Sequence, residues 1–311
     1  MNILITPKSF ALAKAKTFPL LETLGFNVIE NDKGRTLTED ELIAFAEHGV
    51  VGMIVGVDPV TARVIDACRD LRAISKYGVG LDNIDVDAAR RRGIKIASAV
   101  ATNHISVAEL TIALLFEAAR RLSSMIASVR NGSWQRQLGI ELTGKTLLVV
   151  GGGMIGKEVA KRARGLMMKV LLYDPYAQDE TFLREYGIVA CDSLHQGLEQ
   201  ADAVSLHVPL TPETRRMIGS DELRRMKPTA ILVNTSRGEL VDEEALYEAL
   251  RERRIAFAAQ DVFSVEPPPP GAPLLSLDEF VLTPHAGAYT REAVERTAVR
   301  SVENLIDLLR G

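Results

Sequence analysis

Short apolar runs alternate with segments of helical period along almost the whole chain, the pattern of a parallel sheet whose strands are joined by crossover helices. Ile3–Thr6, Asn27–Glu30, Gly52–Val55, Arg72–Ser75 and Lys95–Ala97 read as a first series of strands. After Lys145 a second series follows: Leu147–Val150, Val170–Tyr173, Ala203–His207, Ala230–Asn234, Ala256–Gln260 and Val281–Thr283. Two such series predict an α/β protein with two Rossmann-like, doubly wound parallel-sheet domains. Thr38 to Glu41 has the layout of a capping box before Leu42 and Ile43. Between the series, His104–Val129 carries Val107, Leu110, Ile112, Leu114 and Leu115 at helical spacing and predicts a buried connecting helix. Arg291–Arg310 predicts one amphipathic helix, whose Leu305, Ile306, Leu308 and Leu309 would return to the first domain. The expected organisation is therefore a split domain, 1–98 with 285–311, and a second domain, 99–284, inserted into it. Pro267–Pro270 continue neither helix nor central strand and predict an exposed turn.

Composition narrows the function classes. The 311 residues are 47% hydrophobic and 25% charged, with a net charge of −4, ordinary for a globular protein with a full core. That balance gives no basic footprint for nucleic acid or anionic lipid. No apolar run nears the roughly 18–20 residues that cross a bilayer, and the N-terminus lacks the basic, apolar and small-residue layout of a signal peptide. Cys68 and Cys191 have no metal-ligand spacing and read as reduced thiols. No metal is expected, and the expected location is the cytoplasm.

Val149 and Val150 end a strand, Gly151-Gly152-Gly153-Met154-Ile155-Gly156 follows, and a helix opens at Lys157. Gly151, Gly153 and Gly156 fit G-x-G-x-x-G, where the glycines serve a tight turn, close approach to a pyrophosphate and helix–strand packing. Helix N–H groups, with Met154 and Ile155 in the turn, then face the phosphates. Asp174 closes the next strand, near the roughly 20-residue offset at which an acidic side chain takes the adenosine ribose hydroxyls. Pro175 and Tyr176 follow it with no cation for a 2′-phosphate, so the expected cofactor is NAD. The inserted domain would hold NAD and the split domain the substrate.

Three polar residues fall at or after strand ends of the second series, on the edge where such sheets bind ligands. Arg237 follows Ile231–Asn234, Glu266 follows Asp261-Val262-Phe263, and His285 follows Leu282-Thr283-Pro284. A guanidinium grips a carboxylate through its planar fork and polarises a neighbouring oxygen. Histidine exchanges a proton near neutrality, and a carboxylate on its other nitrogen fixes the tautomer and favours the protonated ring. Alone, each would read as a surface ion pair, a solvated acid or a loop histidine. Together they suit hydride transfer at C2 of a small 2-hydroxy or 2-keto acid.

From about Arg72 to Ala288 the chain resembles the D-isomer-specific 2-hydroxyacid dehydrogenase family, and within it is most similar to D-3-phosphoglycerate dehydrogenases. The resemblance is carried by Lys76–Asp85, Ser106–Leu110, Trp134, Glu141–Leu147, His207–Thr214, Asn234–Gly238, Asp261–Phe263 with Glu266-Pro267, and Thr283–His285. It implies that Arg237 binds substrate, His285 is the acid/base and Glu266 orients it. It further implies that backbone N–H groups around Gly78, Val79 and Gly80 hold the substrate carboxylate. Asp261 would meet the nicotinamide amide, and His207 and Thr235 would line the cofactor. Two positions depart from phosphoglycerate-specific relatives: Lys76 stands where many carry Arg, and Gly56 where some carry another. The long C-terminal extension of some members is not expected beyond Gly311. With Lys76 as a phosphate contact, the expected reaction is oxidation of 3-phosphoglycerate or its reverse. The alternatives are a glyoxylate or hydroxypyruvate reductase, and, from another class, an NAD-sensing corepressor without turnover. The apolar excess of Thr111–Val129 predicts a homodimer or homotetramer.

Overall fold

The computed structural model describes residues 1–176 and 179–310. The chain divides into two compact units, Met1–Asn103 with Ala288–Gly311 and His104–Gly287.

The first unit is built from β1 (Asn2–Ile5), α1 (Lys14–Thr23), β2 (Asn27–Glu30), α2 (Glu39–Ala46), β3 (Val50–Val55), α3 (Ala62–Ala67), β4 (Ala73–Lys76), α4 (Val86–Arg91) and β5 (Lys95–Ser98). The strands are parallel in the order β2-β1-β3-β4-β5. Side chains alternate across a strand, and both faces are apolar here. Leu4, Met53 and Val55 join one core with Leu42, Ile65 and Ala88, while Ile3, Ile5 and Ile54 join another with Leu21, Val302 and Leu305. Thr38 caps α2: its side chain accepts from Glu41 N at 3.3 Å, and its N–H donates to the Glu41 carboxylate at 2.9 Å.

The second unit opens with α5 (His104–Arg120) and α6 (Leu122–Arg130). The single helix expected from periodicity breaks at Arg121, which is left-handed at φ 51°. Glu117 accounts for the restart, since its carboxylate accepts from Ser123 N at 3.1 Å and Ser123 Oγ at 2.6 Å at the start of α6. The two helices differ in burial: α5 buries eight residues, α6 none.

Then come β6 (Thr146–Val150), α7 (Met154–Gly165), β7 (Lys169–Tyr173), α8 (Glu180–Tyr186), β8 (Val189–Ala190), α9 (Leu194–Gln200), β9 (Ala203–Leu206), α10 (Ser220–Arg225), β10 (Ile231–Asn234), α11 (Glu243–Arg251), β11 (Phe257–Gln260) and β12 (Phe280–Leu282). α12 (Arg291–Arg310) belongs to the first unit. The seven strands are parallel in the order β12-β11-β10-β9-β6-β7-β8. The winding reverses between β6 and β9, so the loops leaving their carboxyl ends part there and leave a crevice. No helix among the described residues is long and apolar enough to cross a membrane.

Candidate active site

The turn from β6 into α7 admits little beside glycine. A Cβ on Gly151 would lie 2.6 Å from the His207 carbonyl oxygen, and one on Gly156 would lie 1.9 Å from that of Gly151. Gly153, which precedes α7, has open space around its Cβ direction. The first turn of α7 carries no acidic side chain, so its N–H groups present an unopposed positive end. Asp174, at the end of β7, accepts from Gly152 N at 2.7 Å and from Tyr176 N at 2.9 Å. Met154 is half-exposed at the mouth of the turn. A tight glycine cradle, a helix N-terminus and an anchored carboxylate together fit a dinucleotide.

His207 follows β9, and its Nε2 shares a 2.7 Å hydrogen bond with Ser205 Oγ. Its Nδ1 is buried with no partner among the described residues, and burial pushes its pKa down to about 3. Thr235 is buried, with Oγ1 2.8 Å from Thr111 Oγ1.

Arg237, Glu266 and His285 lie on three neighbouring loops at this edge. Asn234 organises the first: its amide donates to Arg237 O at 2.8 Å and its oxygen accepts from Ser236 N at 3.0 Å. Ser236 Oγ donates to Val208 O at 2.6 Å. Gly238 packs directly on the second loop, since a Cβ there would fall 2.1 Å from the Phe263 carbonyl carbon. Asn234 and Ser236 were not singled out from the sequence, where a polar side chain holding its own turn resembles any other turn residue.

Glu266 accepts from Phe263 N at 3.0 Å and binds His285 Nδ1 at 2.7 Å. Partial burial opposes its charge. The hydrogen bond to His285 and the charge of that ring outweigh it, with help from the Phe263 N–H and the Arg237 charge, and hold the carboxyl below its usual range. His285 is left-handed at φ 51°, a conformation uncommon outside glycine and concentrated at functional sites. Its N–H donates to Asp261 O at 2.8 Å and Thr283 O at 3.0 Å.

Asp261 is 1% exposed. Its Oδ1 accepts from Ala286 N at 2.8 Å and from the Thr283 hydroxyl, and its Oδ2 accepts from Gly287 N at 2.7 Å. The structure thus gives Asp261 a role the sequence did not suggest: it clamps both sides of the loop that presents His285.

In the first unit, Gly78 adopts φ 133° after β4, and Val79 is exposed. The N–H groups of Gly78, Val79 and Gly80 donate to no described residue. Lys76 ends β4. It is 6% exposed, and its Nζ donates to Gly56 O and Asn83 Oδ1. Asn83 Nδ2 in turn donates to Gly56 O at 3.1 Å and to Asp58 O. Buried Asp58 accepts from Leu37 N at 2.8 Å, Gly56 N at 3.3 Å and the Thr6 hydroxyl. Lys76 is therefore part of an internal polar network, because a buried ammonium must satisfy its donors within the protein.

Residues 112–287 match the family described as D-isomer specific 2-hydroxyacid dehydrogenase, NAD binding domain. The chain is 43% identical over 294 residues to the D-3-phosphoglycerate dehydrogenase of Methanocaldococcus jannaschii, covering 94% of this chain but only 55% of that protein. It is 46% identical over 260 residues to the glyoxylate reductase of Korarchaeum cryptofilum, covering 82% of this chain and 78% of that one. Among solved structures, the TT0316 protein from Thermus thermophilus superposes with a TM-score of 0.88 at 39% identity, covering 100% of this chain and 97% of that one.

Proposed function

The chain belongs to the D-isomer specific 2-hydroxyacid dehydrogenase family, and from that premise we propose that it is an NAD-dependent enzyme that interconverts a small D-2-hydroxy acid and its 2-keto acid. The 2.7 Å pairing of Glu266 with His285 Nδ1, beside the Arg237 loop, carries the proposal. The Gly151–Gly156 turn and Asp174 would hold NAD, which would supply the hydride acceptor or donor for C2. The residues of the chain do the rest. With Nδ1 committed to the carboxylate, the exchangeable proton sits on Nε2 of His285. In reduction that proton passes to the C2 oxygen; in oxidation Nε2 takes it from the hydroxyl. Arg237 draws negative charge onto the C2 oxygen as it develops and pairs with the acid's carboxylate. In the first unit, the N–H groups of Gly78, Val79 and Gly80 would donate to a substrate carboxylate. His207, Thr235 and Asp261 line the cofactor, with Asp261 also holding the His285 loop.

For the substrate we propose an unphosphorylated 2-keto acid of the glyoxylate or hydroxypyruvate type. Lys76 gives two of its three donors to Gly56 O and Asn83 Oδ1, and Gly56 offers no side chain, which supports a substrate without a phosphate. Phosphoglycerate is the second reading, favoured by the name of the Methanocaldococcus relative. The test is NADH consumption against a panel of 2-keto acids with and without a 3-phosphate. Hydroxypyruvate reduced more efficiently than 3-phosphohydroxypyruvate supports the first reading, and the reverse supports the second. No turnover of any member would leave a corepressor and defeat the enzyme proposal.

We also propose a two-fold dimer through α6. Leu122, Ile126 and Val129 share one helical face and are exposed, and Trp134 and Leu138 follow at 87% and 97% exposure. Contiguous exposed apolar surface of this kind marks an interaction site. Light scattering should return twice the chain mass, and Ile126→Glu should give the monomer. Cys68 and Cys191 are buried free thiols, which suits the reducing cytoplasm.

A further inference from the structure

The amino edge of the seven-stranded sheet, opposite the Gly151–Gly156 turn, holds a cavity of about 460 Å³. Arg164, Lys169 and Lys227 line it together with Val170, Gly187 and Val189, and no acidic residue is among its walls. Lys227 pairs with Asp202 at 2.9 Å, and Lys145 also acts on that carboxylate. Three cations thus line the cavity, one of them paired with an acid that a fourth, Lys145, also acts on, in a chain whose net charge is −4.

Each cation is held differently. Arg164 Nε donates to Tyr186 O at 2.9 Å and Nη1 to Met168 O at 2.8 Å, which fixes the guanidinium and leaves Nη2 as its open edge. Gly187, at φ 60°, keeps that edge clear: a Cβ there would stand 3.4 Å from Nη2. Lys169 is exposed and forms no ion pair among the described residues. Val189 is 60% exposed and gives the cavity an apolar wall. One carboxylate does not balance these cations, and like charges repel, so a bound anion would relieve the cluster.

We infer that this cavity binds a small organic anion with at least two negative charges. Its carboxylate or phosphate groups meet Arg164, Lys169 and Lys227, and its carbon frame lies against Val170 and Val189. The volume falls within the roughly 300–1,000 Å³ of small-molecule sites, more than a bare inorganic ion needs. The site stands apart from the proposed C2 chemistry, being reached from the other ends of β6 and β7.

The test is calorimetric titration of the full chain with citrate at constant ionic strength, with acetate as the monovalent control. Citrate should bind with a Kd of about 1 mM or tighter and acetate far more weakly. Lys169→Glu reverses one charge at an exposed position and should weaken citrate at least about tenfold, whereas Lys169→Arg should keep it. Citrate held elsewhere, for example at Arg237, would be indifferent to Lys169. Equal affinity in the native chain and Lys169→Glu, or citrate no tighter than acetate, overturns the proposal.

Discussion

Polar side chains are used in opposite ways at the carboxyl edge of the seven-stranded sheet and in the loops between Gly56 and Asn83 of the first unit. At the sheet edge, the proposed acid/base pair is held by one end. Glu266 is anchored by Phe263 N and ties His285 by Nδ1, while Nε2 meets no described residue. Around Lys76 the polar atoms consume one another: Nζ reaches Gly56 O and Asn83, and Asn83 reaches Gly56 O and Asp58 O. Both regions are rich in charge and in glycine. What separates chemistry from architecture is whether an atom with capacity to spare is left facing out, and residue type alone does not reveal that.

Substitutions can break this contrast. His285→Ala should show the largest effect, lowering kcat for every accepted substrate by about 10²–10⁴-fold, the usual range for a positioned acid/base. Steady-state rates check it, and a loss under tenfold would move the proton elsewhere. Lys76→Ala should act through the fold instead. Removing the ammonium leaves Asn83 Oδ1 without its donor at a cost of about 1–3 kcal/mol, read as a lower denaturant midpoint. Its effect on KM should be equal for hydroxypyruvate and 3-phosphohydroxypyruvate. A rise for the phosphorylated acid alone would turn Lys76 into a phosphate contact and reverse the substrate proposal. Asp174 sharpens the comparison from the cofactor side. Its carboxylate repels a 2′-phosphate, so kcat/KM should favour NADH over NADPH by at least about tenfold, roughly 1.4 kcal/mol, and Asp174→Ala should narrow that gap.

Much of this organisation was legible in the sequence because it is local or periodic. The parallel strands showed as apolar runs, the capping box at Thr38 as a spacing, and the turn at Gly151–Gly156 as a glycine pattern. The features that escaped depend on partners far along the chain or on a single dihedral. Periodicity carried one helix through Arg121, because nothing local announces a left-handed residue or the Glu117 carboxylate that restarts α6. β8 spans only Val189–Ala190, too short to show any period. Asp261 offered a carboxylate at a strand end, but its grip on Ala286 and Gly287 closes over 25 and 26 residues. Lys76 depends on Gly56, 20 residues upstream, and on Asn83. A lysine at a strand end does not reveal those partners in the sequence.

The account rests most heavily on Glu266 and His285 acting as one unit. Glu266 is held below the usual carboxylate range, so it stays ionised as pH falls until that lowered value is passed, and its charge favours the protonated ring that reduction requires. Glu266→Gln keeps an acceptor of similar shape but removes the charge. The decisive measurement is therefore the pH profile of kcat/KM for 2-keto acid reduction in the native chain and in Glu266→Gln. The falling limb of the variant should move to lower pH, and a limb that stays where it was would contradict the pairing.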